Sequence, residues 1–135
     1  MSNLHRIEIS VRVRYPECDS MKAAHHSVYL VWLEMARIEL HRSMGTSYAA
    51  MEKRGIFFVV ARLNIRYRKP AFYDNELVIT CVSQPAFGAK IDHDYEIHRG
   101  DDLLVTASTT IVCVDGQGRV QPMPDDLFAS VSAET

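Results

Sequence analysis

An α+β domain, one curved antiparallel sheet wrapped around a single long helix, is what this sequence predicts. Three observations carry that expectation. A strict period-two stretch precedes a long apolar helix, four further strand-like stretches follow it, and no helix lies between those later strands. Tight turns join them instead, which argues against a parallel sheet. A sheet of long antiparallel strands must bury one face. The only partner of matching length is the helix, about 25 Å long at ~1.5 Å per residue.

Each element can be justified in order. Residues 7–15 alternate, with Ile7, Ile9, Val11, Val13 and Tyr15 on one face and Glu8, Ser10, Arg12 and Arg14 on the other; this is the mark of a half-buried strand. Pro16 lacks an amide donor and ends it. The helix runs from about Val28 to Met44. Val28–Leu33 is apolar or aromatic throughout, so its first turns are expected to be surrounded by protein. Tyr29, Leu33, Ala36, Leu40 and Met44 form one stripe, Glu34, Arg37, Glu39, His41 and Arg42 lie off it, and Gly45 is placed to cap the end. A shorter helical turn is expected over Ser47–Arg54.

Next, Val59, Ala61, Leu63, Ile65 and Tyr67 are expected to share a face opposite Val60, Arg62, Asn64, Arg66 and Arg68. The turn Lys69–Asn75 leads to a strand at Leu77–Ser83. Ile91, His93, Tyr95 and Ile97 then alternate with Asp92, Asp94, Glu96 and His98. Arg99-Gly100-Asp101 turns into Leu103–Val114, and Asp115-Gly116-Gln117-Gly118 turns again towards a short stretch at Arg119-Val120. The tail, with Pro122, Pro124, Asp125 and Asp126, reads as peripheral. Leu77–Ile79, Leu103–Val105 and Ile111–Val114 break alternation, which places those strands under cover on both faces or at an edge and predicts self-association.

Composition sets the frame. A chain of 135 residues, 47% hydrophobic, suits one domain, 1–135, with a single core. A net charge of −2 gives no reason to expect nucleic acid or a membrane as partner. Cys18, Cys81 and Cys113 match no zinc spacing and fit a reducing compartment. No stretch approaches the ~20 apolar residues of a membrane span, and Met1 to Arg6 contain no apolar signal segment. A soluble cytoplasmic protein is the default expectation.

The chemistry concentrates between Tyr15 and Arg37. Asp19 is left beyond the first strand and ahead of the buried helix. Helix N-termini offer unpaired N–H groups and a partial positive charge. A carboxylate beside such donors can attack or deprotonate while they hold a developing oxyanion. Strand, acid and helix in that order suggest acyl chemistry. The plainer alternative is that Asp19 stabilises the turn after Pro16 or caps the helix, although seven residues is a long step for a cap.

His25 and His26 are adjacent, ~100° apart on a helix, and no third ligand has a suitable spacing, so no metal site is expected. Ser27 lacks the strand-to-helix elbow of a serine nucleophile. Arg62, Arg66, Arg68 and Lys69 form either a phosphate-binding stripe or a solvated face paired with Glu8, Asp92, Asp94 or Glu96, and the second is favoured. Glu34 and Arg37 read as an i,i+3 pair.

The run Tyr15-Pro16-Glu17-Cys18-Asp19, followed by His25-His26-Ser27-Val28-Tyr29 and Glu34-Met35-Ala36-Arg37, resembles the signature of the hotdog-fold acyl-CoA thioesterases. The 4-hydroxybenzoyl-CoA thioesterase/YbgC-like family is the closest type. Arg62–Ser83 and Gly88–Val114 are similar as well, so the resemblance spans most of the chain. It implies the hotdog fold and hydrolysis of acyl-S-CoA to a carboxylic acid and free CoA, with CoA part of the substrate and no cofactor. By this resemblance Asp19 is the catalytic carboxylate, attacking the thioester carbonyl or activating water. The backbone N–H of His26 contributes to the oxyanion hole, Tyr29 and Glu34 shape the acyl pocket, and Lys90 meets the pantetheine or nucleotide of CoA.

The family also builds its sites across a dimer interface, commonly within a tetramer, which implies a homo-oligomer formed as a dimer of dimers. Two residues depart from the pattern. Lys22 stands where the family usually has Gly, a residue that tolerates backbone angles Lys resists. Val28 stands where Asn is common, removing a polar group that could orient Asp19 or a water. The competing expectation is a non-catalytic hotdog module that binds an acyl or aromatic ligand. An enoyl-thioester hydratase is disfavoured because its longer Asp/His motif is missing. The acyl group, and the choice between CoA and acyl carrier protein, stay open.

Overall fold

The chain runs β1 (His5–Arg12), a 3₁₀ turn at Tyr15–Glu17, α1 (Val28–Ser43), α2 (Tyr48–Lys53), β2 (Phe57–Tyr67), β3 (Glu76–Ser83), β4 (Lys90–Arg99) and β5 (Asp102–Val114), in a computed structural model that describes residues 5–124. The residues Met1–Leu4, Asp125 and Asp126 named above lie outside the described range. The five strands form one antiparallel sheet in the order β1-β3-β4-β5-β2, curved about α1. That is the predicted α+β architecture.

The stripe on α1 does the packing. Tyr29, Leu33, Ala36 and Leu40, joined by Trp32, bury against Leu77 and Ile79 of β3, Ile97 of β4 and Leu104 of β5. Each fully buried side chain of this size contributes ~1.5–3 kcal/mol. Met44 N–H reaches back to Leu40 O and His41 O, and Gly45 takes the left-handed conformation, φ 85°, that stops the helix. Ser47 caps α2 by accepting from Ala50 N–H at 3.1 Å.

Several expectations need correction. β1 ends at Arg12 because Val13 turns to pair with the loop before β3, donating to Asn75 O and accepting from Asp74 N–H, each at 2.9 Å. The 3₁₀ turn then breaks the alternation, so Tyr15 is exposed. The first turns of α1 are not enclosed: Leu30 and Val31, with Met35, are exposed. Arg37 and His41, placed off the stripe, are buried, because α2 and the start of β2 cover that side through Tyr48 and Phe58. The tail beyond Val120 is not wholly peripheral, since Met123 is buried in a second cluster with Met51, Ile91, Ile111 and Cys113.

Two bulges explain the broken patterns. Val60 pairs with Ile111 and Arg62 with Thr110, leaving Ala61 as an extra residue. Phe58 and Val60 therefore share the helix-side face with Leu63, Ile65 and Tyr67, while Val59 faces outward, the reverse of the expected phase. A second irregularity pairs Ile97 with Val105 and His98 with Leu103. The extra residue is Leu104, whose carbonyl accepts from Arg68 and Lys69 N–H. β3 and β5 are interior strands, so their apolar runs do not mark an edge.

Candidate active site

A tight loop presents Asp19. Cys18 bridges Ala24, Asp19 N–H donates to Ala23 O at 2.9 Å, and Lys22 N–H donates to Asp19 O at 3.0 Å. Inside this loop Asp19 Oδ1 accepts from Met21 N–H at 2.8 Å and Ala23 N–H at 3.2 Å. One carboxylate oxygen is thus fixed by the backbone, an Asx-type turn. The other, Oδ2, makes no hydrogen bond with the described residues and belongs to an exposed residue. The turn-stabilising reading of Asp19 therefore holds geometrically and leaves one oxygen available for chemistry. Asp19 does not cap α1, whose N-cap is Ser27.

Lys22 carries φ 64°. The loop keeps a left-handed bend even though Lys stands where the family has Gly, at a cost of ~1–2 kcal/mol for a residue with a Cβ. The link is then tied down on both sides. His25 N–H donates to Glu17 O at 2.9 Å, and Tyr73 N–H donates to Lys22 O at 2.8 Å. His26 follows immediately before α1. Its carbonyl accepts from Tyr67 Oη at 2.8 Å, while its N–H has no acceptor among the described residues. An unpaired backbone donor at a helix start is what an oxyanion requires.

Both imidazoles are exposed. They stack with centroids 4.2 Å apart, and His25 Nδ1 lies 2.8 Å from Ser27 Oγ. Among the described residues no three His, Cys, Asp or Glu side chains gather as metal ligands. Cys18, beside Asp19, is not a ready nucleophile: desolvation, with Glu17 and Asp19 nearby, raises its thiol pKa. Burial pushes Cys81 up to about 12.

The remaining predicted residues fall in three places. Tyr29 is buried, its ring edge-on to Trp32 and Tyr67, and its hydroxyl accepts from Ala71 N–H at 2.9 Å. It holds the 70–73 loop, which in turn bridges Ala23 through Phe72. Glu34 is exposed, 3.9 Å from Arg37 Nη2, as the i,i+3 expectation required. Lys90 lies elsewhere. It is the first residue of β4, paired with Val112, whereas Tyr67, beside the acid loop, pairs with Val105. Seven residues of β5 separate those rows, ~24 Å at ~3.4 Å per residue. Lys90 shares a cavity of about 410 Å³ with Arg62, Phe87 and Thr110.

The expected pairing of the arginine stripe does not form. Asp92 accepts from Thr110, Asp94 from Gln84, Glu96 meets His98, and Glu8 meets Arg6. Arg62, Arg66 and Arg68 take none of these carboxylates.

A polar group that the sequence reading missed lies deeper along α1. Arg37 Nε donates to Tyr48 Oη at 3.1 Å and Nη1 to Tyr95 Oη at 2.9 Å, and Tyr95 Oη is 2.7 Å from Thr109 Oγ1. His41 and His93 pack alongside with ring centroids 6.2 Å apart. Burial, reinforced by His41 and then Arg37, lowers His93 to about 3; burial and Arg37 lower His41 to about 4. Both are neutral at pH 7. The available signal was the core face of β4, which His93 and Tyr95 share with Ile91 and Ile97.

Comparison with known proteins agrees with this geometry. Residues 13–131 match the model of the thioesterase-like superfamily. YneP of Bacillus subtilis is 34% identical, over 83% of this chain and 82% of its own length. The acyl-CoA thioesterase YbgC of Haemophilus influenzae is 31% identical, over 84% of this chain and 83% of its own. Among solved structures, the DHNA-CoA thioesterase from Staphylococcus aureus superposes with a TM-score of 0.87 at 28% identity, covering 96% of this chain and 89% of that one. The chain, with its hotdog sheet around one helix, belongs to the thioesterase-like superfamily and is YbgC-like within it.

Proposed function

We propose that Asp19 and the start of α1 hydrolyse acyl-CoA thioesters, the activity carried by the name of the YbgC relative. The reaction converts acyl-S-CoA and water to a carboxylic acid and free CoA. Oδ2 of Asp19 takes a proton from water as the water oxygen bonds to the thioester carbon. The carbonyl oxygen becomes an oxyanion beside the His26 N–H, worth several kcal/mol in such a setting. The C–S bond then breaks, and the proton held by Asp19 passes to the departing thiolate. Direct attack by Oδ2, forming an anhydride that water opens, uses the same atoms. The observation that carries this reading is the division of labour in the carboxylate, with Oδ1 held by two backbone N–H groups and Oδ2 left open.

Copies of the chain join along β2. The edge at β1 alternates with Arg6, Glu8 and Arg12, a pattern that discourages pairing, whereas β2 carries exposed Val60, Leu63 and Tyr67 on the side of Leu30 and Val31 of α1. Antiparallel pairing of two β2 strands would carry Lys90 of one copy towards Asp19 of the other, closing the ~24 Å gap. Lys90, with Arg62 in the same cavity, would then hold the phosphates of CoA. Two such pairs make the expected tetramer. The unpaired Cys18, Cys81 and Cys113 support a cytoplasmic setting, and no helix among the described residues is long and apolar enough to cross a membrane.

Free-thiol release from a panel of acyl-CoAs tests the reaction, with Asp19→Asn alongside. The amide keeps the Oδ1 acceptor but cannot take a proton, so activity should fall by about 10²–10⁴-fold. Full turnover by folded Asp19→Asn removes the assignment. Acyl-CoA binding without thiol release would indicate a ligand-binding module instead. A stable monomer in light scattering would remove the shared site.

A further inference from the structure

We infer that two cavities meeting at Arg37 form a subsite for an acyl chain ending in a carboxylate. The inference rests on the thioesterase reading above and names its substrate class. Arg37 is 6% exposed, and a buried guanidinium is costly unless charge and hydrogen bonds compensate it. Its two hydrogen-bond acceptors, Tyr48 Oη and Tyr95 Oη, are neutral hydroxyls. Glu34 Oε2 stands 3.9 Å from Nη2, beyond hydrogen-bond distance, on a side chain that is 59% exposed. A guanidinium has five N–H donors, so most of this one's capacity has no acceptor among the described residues. The fold encloses a cation and leaves it short of negative charge.

The space around it is shaped for a chain. An outer cavity of about 310 Å³ runs between α1 and β2, walled by Leu30, Val31 and Leu63, with Arg37 and Thr109 deeper in. An inner cavity of about 170 Å³ continues from Glu34, Arg37 and Val60 to Tyr48. Apolar walls lead to a cation at the junction. From Leu30 to Arg37 the helix advances ~10 Å, so an acyl group whose thioester lies at the first turn of α1 reaches Arg37 when it is of medium length. A terminal carboxylate accepts two parallel N–H bonds from a guanidinium and supplies the missing charge. A methyl terminus does neither. Glu34 competes for the same cation, so the incoming carboxylate would turn Glu34 towards solvent.

Adipoyl-CoA and hexanoyl-CoA match in chain length and differ only at the far end. The wild type should favour adipoyl-CoA in kcat/KM by at least ~tenfold, the scale of charge-assisted hydrogen bonds. Arg37→Gln should abolish that ratio, Arg37→Lys should keep part of it, and Glu34→Gln should raise it. A wild-type ratio near one overturns the inference, as does a ratio that survives Arg37→Gln. Should Arg37→Gln fail to fold, the wild-type ratio and the opposite responses to Arg37→Lys and Glu34→Gln decide. Calorimetry with non-hydrolysable thioether analogues of the same two compounds separates the claims. A tenfold binding preference without turnover of either ester supports the subsite and removes the hydrolase. Turnover of both esters without preference does the reverse.

Discussion

The link that enters α1 carries an open backbone donor at His26 and an exposed acid, Asp19, whose second oxygen is free, whereas about two to four turns later the same helix encloses Arg37 and His41 among Tyr48, Tyr95, Thr109 and His93. The first region is held by backbone hydrogen bonds, the second by side chains and burial. Backbone scaffolding lets a carboxylate lose its chemistry while the loop keeps its shape. A buried polar cluster cannot separate the two, because every member is also packing. Function at the first region and stability at the second should therefore respond to different perturbations.

The largest separation expected is Asp19→Asn, with the loss of turnover given above and no measurable change in denaturant midpoint. A fall in both would mean the acid loop is structural. Acid should do the converse. His93 and His41 have folded pKa values depressed to about 3 and about 4, below the unfolded ~6.5. Protonation therefore favours the unfolded state: the contribution is complete above about pH 6.5 and is lost as pH falls towards about 4 for His41 and about 3 for His93. The slope is ~1.4 kcal/mol per pH unit for each histidine, or ~3–5 kcal/mol in total between pH 6.5 and 4.5. Urea titrations at those pH values check this, and His93→Phe should remove about half of the slope. An unchanged slope would place the sensitivity elsewhere.

Smaller effects sharpen the contrast. Lys90→Ala should raise KM for acyl-CoA by up to ~tenfold with kcat nearly kept, the pattern of lost uniform binding. A pure kcat effect would contradict its assignment to the CoA moiety. Smallest is Lys22→Gly, which relieves the left-handed strain at φ 64°. It should stabilise the chain by ~1 kcal/mol, read as a higher denaturant midpoint, whereas Lys22→Ala should give no gain.

The sequence made some of this legible and hid the rest for physical reasons. Period and turn chemistry revealed α1 and the five strands, because those signals are local, and the order strand, acid, helix singled out Asp19 as a candidate. The enclosure of Arg37 and His41 was hidden, since burial of an off-stripe residue depends on α2 and Phe58 arriving from elsewhere in the chain. The phase of β2 was missed for a related reason. A bulge leaves no mark in the alternation of Val59, Val60 and Ala61, all of them apolar. The distance between Lys90 and Asp19 follows only from strand order, which no local pattern contains.

The extra residue at Ala61 has a consequence for how the chain tolerates length changes. Loop segments usually absorb the loss or gain of a residue, but here the spare residue sits inside a strand. Deleting Ala61 would restore an unbroken ladder between β2 and β5. With Arg62 to Tyr67 held in register, the upstream pairs of Phe58 with Cys113 and Val60 with Ile111 would be kept. Phe58 and Val60 would stay on the face of α1, because Val60 and Leu63 would then be two apart, the ordinary alternation of a strand. A second deletion, with no spare residue left, would slip everything upstream by one and rebuild the walls of both cavities beside Arg37. One residue can therefore be lost at this point of β2, whereas a second loss should be far less tolerated than the same change in the turn at 115–118.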